Sequence, residues 1–199
     1  MIRLLRPSPA TIAAQLARVD APFSHDDVGA TARPEALVAL AHRYTFDHSR
    51  FPLGRGRAVF ERARSALFTW RHFEIPWLEL QGGDVPVFPG QIVATLTRVF
   101  VPWFLSPCRV VDRIDPPGEP NEVSFAYGTL PGHVACGEER FSVRIDPDTE
   151  RVVFEIFAFS RPAVALARVG RPFMRRVQRR FGTDSAAALE RAIASATMR

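Results

Sequence analysis

The sequence predicts an α+β domain in which a curved antiparallel sheet of six or seven strands wraps around a long C-terminal helix. Three observations support this fold class. Apolar and polar residues alternate in several segments between residues 73 and 159, as they do in strands. Short turns rich in glycine and proline separate these segments, which favours antiparallel neighbours. Apolar residues then recur every three or four positions from Leu166 to Phe181, as on a helix that packs against a sheet.

The N-terminal part is predicted to contain two helices and one strand. A short helix is expected over 9–19, because apolar residues recur along one side of it. Residues 22–34 are expected to form an ordered connector, and alternation predicts a strand over 42–51. A longer amphipathic helix follows over 57–71, where an apolar stripe opposes charged residues.

Six further strands and a helical tail complete the chain. The strands are predicted over 73–81, 91–99, 103–113, 122–129, 138–145 and 151–159. The tail returns to helix over 162–181, with Ser160 as the expected N-cap, and Gly170 and Pro172 should bend it. A last helical piece is expected after Thr183. A sheet wrapped around such a helix, with a cavity between them, is the helix-grip architecture.

The composition fits one globular domain spanning residues 1–199, with a net charge of +5. All 26 basic residues are arginines, since the chain has no lysine. The two cysteines provide neither a disulfide framework nor a metal-ligand pair, and the five histidines lack metal-ligand spacing. We therefore expect no metal and no cofactor. Because no signal peptide and no run that could span a bilayer is evident, we expect a soluble cytoplasmic protein.

Five short segments, taken in order, resemble a known family. They are 28–31 (VGAT), 53–56 (LGRG), 127–133 (YGTLPGH), 137–139 (GEE) and 158–163 (AFSRPA). This combination is similar to the uncharacterised family called domain of unknown function 1990, or UPF0548, and it places a family-like core at 23–181. Residues 1–22 would then be an N-terminal helical extension, and 183–199 a terminal helical piece. One departure is His25, where the family pattern would have a tyrosine.

The resemblance implies a fold and a kind of ligand. The family resembles the helix-grip superfamily of Bet v 1, START and polyketide-cyclase domains. Such a fold implies a pocket for a small hydrophobic or amphipathic molecule between the sheet and the C-terminal helix. It implies no particular substrate, because one fold supports many functions.

The adjacent residues Glu138 and Glu139 are the least expected feature of the predicted sheet. Neighbouring residues on a strand face opposite sides, so the two are not expected to form an acid–base pair. Alternation places Glu139 on the apolar face with Phe141, where a charge needs a partner or a raised pKa. We expect Tyr127 or Arg161 to be that partner. Glu139 could then bind a polar ligand head, act as an acid or base, or form a structural ion pair.

In addition to Tyr127, Glu138 and Glu139, three other residues are candidates for ligand binding. His133 lies in a glycine-flanked turn, where it could shuttle protons, close a pocket mouth, or have no special role. Ser160 and Arg161 precede the predicted helix, and a helix N-terminus beside a guanidinium can bind an anion. The alternative is that Ser160 only caps the helix and that Arg161 pairs with Glu138 or Glu139.

These observations leave three classes of function open. The first is a protein that binds a small hydrophobic or amphipathic ligand, with Tyr127, Glu139 and Arg161 as polar anchors. The second is an enzyme of the same fold that uses Glu139 or His133 for acid–base chemistry on a lipid-like or polyketide-like substrate. The third is a non-catalytic adaptor whose C-terminal helix docks on a membrane or on nucleic acid.

The arginines of the C-terminal helix bear on the third class. Arg168, Arg171, Arg175 and Arg179 recur every three or four positions, so they line one side of the predicted helix. No aromatic residue interleaves them, and we therefore expect no nucleic-acid partner. A peripheral contact with an anionic membrane stays open, as does a simple solvated face. The sequence does not indicate an oligomeric state.

Overall fold

The structure is a computed structural model that describes residues 1–98, 101–163 and 171–196, and at positions 34 and 171–175 the backbone alone. Its helices are α1 (Pro9–Leu16), α2 (Pro34–Leu40), α3 (Arg57–Phe68) and α4 (Arg171–Ser195), with 3₁₀ turns at Ala30–Ala32 and Arg71–Phe73. Its strands are β1 (Ile2–Arg3), β2 (Thr45–Arg55), β3 (Leu78–Gln81), β4 (Ile92–Arg98), β5 (Trp103–Ile114), β6 (Glu122–Thr129), β7 (Ala135–Ile145) and β8 (Arg151–Pro162).

The strands form one antiparallel sheet in the order β2-β8-β7-β6-β5-β4-β3, with β1 paired to β5 outside this path. Every described neighbouring pair is antiparallel. The predicted antiparallel sheet is therefore confirmed. Seven of its strands form the continuous path, and β1 is an eighth strand that was not predicted. The two residues of β1 are too few for alternation to reveal a strand.

The concave face of the sheet holds an aromatic core that α3 and α4 cover. Phe125 on β6, Phe141 on β7 and Phe154 on β8 are fully buried, and the rings of Phe125 and Phe141 lie 5.2 Å apart. Phe60 from α3 and Leu189 from α4 belong to the same cluster. Truncating one such phenylalanine to alanine costs about 3–5 kcal/mol, so this cluster is a major source of stability. A curved antiparallel sheet closed by a C-terminal helix is the helix-grip fold.

His72 lies inside this aromatic core. It has no exposed surface, and its ring centroid lies 4.9 Å from that of Phe141 and 5.6 Å from that of Phe125. Neither ring nitrogen has a hydrogen-bond partner among the described residues. Burial lowers the pKa of His72 to about 3, so the ring is neutral at physiological pH.

The described part of α4 is one uninterrupted helix, so the predicted restart after Thr183 is wrong. The carboxylate of Asp184 accepts a hydrogen bond of 2.6 Å from the indole N–H of Trp77. Gly182 allows close approach to Phe51, whose ring would lie 3.1 Å from an added Cβ. Asp184 and Gly182 therefore serve tertiary contacts of one continuous helix.

Only the end of the predicted apolar stripe in the C-terminal helix lies within the described residues. Its first residues and Gly170 lie outside the described residues, as does the side chain of Phe173. Val177 and Phe181 are partly buried, and the ring of Phe181 lies 5.4 Å from that of Phe73. Neither α4 nor any other described helix is long and apolar enough to cross a membrane.

Strand β8 continues to Pro162, so the predicted helix start and the Ser160 N-cap are wrong. Ser160 and Pro162 lie opposite Gly137 and Ala135 of β7, in the same register as the rest of the strand. Proline lacks a backbone N–H, but at the last residue of a strand few hydrogen bonds to the neighbouring strand depend on it. Ser160 is therefore a residue of the sheet.

Two further differences concern local backbone geometry. The predicted strand over 73–81 begins only at Leu78, because Trp70 adopts a left-handed φ of 62° and the chain then forms a 3₁₀ turn. The short helix α2 begins where the connector ends and was not predicted. The strand that follows it begins at Thr45, so His42 precedes the sheet.

Candidate functional site

Glu138 and Glu139 lie on opposite faces of β7, as predicted. Glu139 is opposite Tyr127 on β6 and Ala158 on β8, and it shares the concave face with the aromatic core. Glu138 is opposite Gly128 and faces the convex side. The two side chains therefore point to different sides of the sheet.

The carboxylate of Glu138 anchors the connector that covers the convex face. It accepts a hydrogen bond of 2.6 Å from the amide of Gly29, one of 3.0 Å from the amide of Thr31, and one from the Thr31 hydroxyl. The residue is only 2% exposed. Both of its oxygens are therefore occupied by hydrogen bonds from the connector, which supports a structural role for Glu138.

Arg161 also faces the convex side, so the expected ion pair with Glu139 is wrong. On β8 it lies opposite Cys136, and its guanidinium lies 5.7 Å from the ring centroid of Tyr44. A hydrogen bond with the Cys136 thiol is the main cause that raises the pKa of Arg161. Arg161 forms no ion pair with Glu138 among the described residues. Because β8 contains both Ser160 and Arg161, the helix N-terminus that was to support an anion site does not lie there.

His25, the one departure noted in the sequence, lies on the convex face of the sheet. Its ring is 5% exposed and packs edge-on against Phe159, with 5.5 Å between the centroids. Neither of its nitrogens has a hydrogen-bond partner in the described chain. Burial lowers its pKa, although the negative charge of Glu138 acts in the opposite direction. His25 therefore packs as a neutral ring.

Tyr127 and Glu139 form the polar group of the concave face. The Tyr127 hydroxyl donates a hydrogen bond of 2.6 Å to Oε2 of Glu139, which confirms the predicted partner. The two border a small cleft with a volume of about 80 Å³. The other polar residues of its lining are Thr129, His133, Glu138, Ser160 and Gln178.

The surroundings of Glu139 favour its neutral form. Burial raises the pKa of this carboxyl to about 7; the Tyr127 hydrogen bond lowers it and the charge of Asp47 raises it. Glu139 forms no ion pair with a described residue. Burial and the neighbouring carboxyl also raise the pKa of Tyr127 well above its ordinary value, so its hydroxyl remains a donor.

His133 lies in the turn between β6 and β7 and borders the cleft. Its Nδ1 lies 2.9 Å from the amide nitrogen of Ala135 and 3.0 Å from the carbonyl oxygen of the same residue. Burial lowers the pKa of His133 to about 4. The ring is therefore neutral at physiological pH and partly buried.

Two residues near Glu139 were not singled out from the sequence. Asp47 on β2 lies opposite Ala158, which in turn lies opposite Glu139. Cys108 on β5 lies opposite Thr129, and burial together with the charge of Glu139 raises the pKa of its thiol. Alternation within each strand indicated their faces. No pattern within a strand indicates which strands become neighbours, so the cluster was not predictable.

Only the later arginines of α4 have described side chains. Arg168 and the side chains of Arg171 and Arg175 lie outside the described residues. Arg179 is exposed, and Arg180 pairs with Asp184 at 3.3 Å. Among the described residues, no three His, Cys, Asp or Glu side chains converge as a metal site would require.

The fold defines the class of protein, namely the helix-grip proteins. A similar fold occurs in a solved structure of a hypothetical protein from Helicobacter pylori, with a TM-score of 0.50 and 11% identity. That similarity covers 74% of this chain and 85% of the other.

The sequence comparisons define the family. The chain belongs to the family described as domain of unknown function (DUF1990), whose model matches residues 24–188. A UPF0548 protein from Deinococcus radiodurans is 33% identical over 208 residues, which cover 96% of this chain and 98% of the relative. A UPF0548 protein from Dictyostelium discoideum is 32% identical over 160 residues, which cover 76% of this chain and 74% of the relative.

Proposed function

We propose that the cleft beside Tyr127 and Glu139 binds the polar end of a small hydrophobic or amphipathic ligand. The observation that supports this proposal is a carboxyl on the apolar face whose partner, among the described residues, is a tyrosine hydroxyl and not a cation. With a pKa raised from 4.5 to about 7, the ionised form of Glu139 destabilises the fold by up to about 3 kcal/mol. A group retained at such a cost is more typical of a functional site than of a structural one.

The size of the cleft indicates which part of a ligand it holds. Its volume of about 80 Å³ is small beside the ~300–1,000 Å³ of sites that enclose a whole drug-sized molecule. A water molecule occupies about 30 Å³ of liquid, so the cleft suits a polar head of a few heavy atoms. The apolar remainder of the ligand must extend beyond these lining residues.

A second candidate function is acid–base catalysis by Glu139 on a lipid-like or polyketide-like substrate. The observation that favours it is the pKa of about 7, because a general acid or base works best when its pKa is near the working pH. Tyr127 would then hold the carboxyl in place through its hydrogen bond. His133 is the less suitable base, since its Nδ1 is already engaged by Ala135.

Native mass spectrometry of freshly purified protein tests the proposal. We expect the wild type to carry a small molecule, and Glu139→Gln and Tyr127→Phe to lose it while keeping their fold. Glu122→Gln is the matched control, because Glu122 lies on β6 and pairs with Arg144 at the surface. Loss of the molecule in all three variants, or retention in all three, would place its site elsewhere.

The fate of the retained molecule separates the two candidate functions. A carrier should release the molecule with its mass unchanged after prolonged incubation. An enzyme should convert it, and the conversion should stop in Glu139→Gln even where some binding remains. A purified wild type that carries nothing and takes up no amphipathic molecule would contradict both.

A further inference from the structure

One corner of the molecule concentrates exposed apolar side chains. Nine large apolar residues are exposed within the described ranges, and four of them are Ile2, Leu4, Leu5 and Val101. Leu4 is 77% exposed and Leu5 is 82% exposed. Single exposed apolar residues are ordinary, but a group at one place marks an interaction surface.

The pairing of β1 with β5 brings these four residues together. Ile2 lies opposite Phe104 and Arg3 lies opposite Trp103. Leu4 and Leu5 follow β1, and Val101 shortly precedes β5. Because the two strands are antiparallel, the end of β1 lies beside the start of β5. Leu4 and Leu5 therefore leave the sheet at the place where Val101 approaches it.

Arginines surround this apolar corner. The guanidiniums of Arg6 and Arg98 lie 5.3 and 5.9 Å from the ring centroid of Trp103. Arg6 also pairs with Glu79 at 2.7 Å. With Arg3, the corner therefore contains three arginines. Tryptophan, arginine and exposed leucines together are typical of surfaces that lie at the boundary between lipid headgroups and water.

We infer that this corner docks on the surface of an anionic phospholipid bilayer. Leu4 and Leu5 enter the boundary between headgroups and acyl chains, and the arginines contact lipid phosphates. A second copy of the chain is the less suitable occupant, because a two-fold interface would place the same positive charges against each other. Nucleic acid offers phosphates but no apolar layer for two exposed leucines.

The corner lies next to the turn that borders the candidate cleft. The amide of Leu105 donates a hydrogen bond of 2.9 Å to the carbonyl oxygen of Met1, and the Met1 nitrogen contacts the carbonyl oxygen of Gly132. His133, the next residue, lines the cleft. Docking at this corner therefore brings the cleft close to the membrane, although the inference does not depend on the proposed ligand.

Vesicle sedimentation with the full chain tests the inference. The vesicles contain phosphatidylcholine alone or with about 30% phosphatidylserine, at physiological ionic strength. We expect binding to the anionic vesicles that weakens at high salt, and little binding to phosphatidylcholine alone. The double change Leu4→Ser and Leu5→Ser should reduce the partition coefficient at least about tenfold. Arg3→Gln should reduce it about fivefold, as expected for one basic residue near an anionic surface.

The matched control is Val38→Ser, which removes an equally exposed apolar side chain on α2. It should bind vesicles like the wild type, and thermal unfolding should show that all variants are folded. Absence of binding to both kinds of vesicle, equal binding to both, or unchanged binding of the Leu4 and Leu5 variant would each overturn the inference. So would a concentration-dependent dimer that this variant abolishes, since a second copy would then cover the corner.

Discussion

Glu138→Gln is expected to lower the free energy of unfolding by about 3 kcal/mol, because it breaks a fully occupied carboxylate site. The carboxylate accepts hydrogen bonds from the amide of Gly29 and from the amide and hydroxyl of Thr31. A glutamine presents an NH₂ group to one of these donors and removes the charge, so at least one buried donor loses its acceptor. Urea denaturation near neutral pH measures the change.

Glu139→Gln is the control for this experiment, because it makes the same chemical change one residue further on. It should leave the free energy of unfolding unchanged or raise it. The glutamine carbonyl can still accept the hydrogen bond from Tyr127, and no described cation is left unpaired. Equal losses of stability in the two variants would contradict the roles assigned to the two faces of β7.

The pH dependence of Glu139→Gln has a definite sign. The folded pKa of Glu139, about 7, lies above its ordinary value of 4.5, so the folded chain binds the proton more tightly than the unfolded chain. Below pH 4.5 both states are protonated, and the glutamine brings no gain. The gain should grow as the pH rises from 4.5, and it should reach its full size, at most about 3 kcal/mol, above pH 7.

Lowering the pH from about 7.5 to about 5 is expected to reduce the free energy of unfolding by about 2 kcal/mol through His72 alone. The ordinary pKa of its ring is 6.5, whereas the pKa of the buried ring is about 3. Between these values the unfolded chain binds a proton that the folded chain excludes. Stability should therefore fall as the pH drops below 6.5, and this contribution should level off near pH 3.

His72→Leu isolates this contribution. The variant should lose little stability near neutral pH, because leucine has a similar volume and removes two buried nitrogens that have no described partner. The stability of the variant relative to the wild type should rise by about 2 kcal/mol between pH 7.5 and about pH 5. His133 and the carboxyls titrate in both proteins, so their effects cancel in the comparison. Parallel pH curves would show that His72 is not the titrating group.

The fold was predictable because its main elements follow local patterns. Alternation predicted that Tyr127 and Glu139 share the apolar face, and the structure joins them by a hydrogen bond. Alternation along β8, had it been extended to Arg161, would likewise have placed Arg161 on the convex face. The sequence prediction ended the strand too early, because Ser160 and Pro162 are also good residues for the start of a helix.

The remainder of the site depends on contacts between segments far apart in the chain. Glu138 is 109 residues from Gly29, and nothing near Glu138 in the sequence indicates that the connector will supply its donors. Asp47 influences Glu139 only because β8 lies between their strands. Such neighbours are set by sheet order, and a periodic pattern within one strand does not contain that information.

The hydrogen bonds of Glu138 also bear on how the connector exchanges its amide protons with solvent. Gly29 and Thr31 lie outside the sheet, and amides in such segments usually exchange through small local openings. Here an opening would remove the hydrogen-bond donors of the buried Glu138 carboxylate. It would also break the contact of 3.2 Å between Nε of Arg140 and the Thr31 hydroxyl. These two amides should therefore take up deuterium only as slowly as the central strands do, which makes the connector part of one cooperative unit with the sheet.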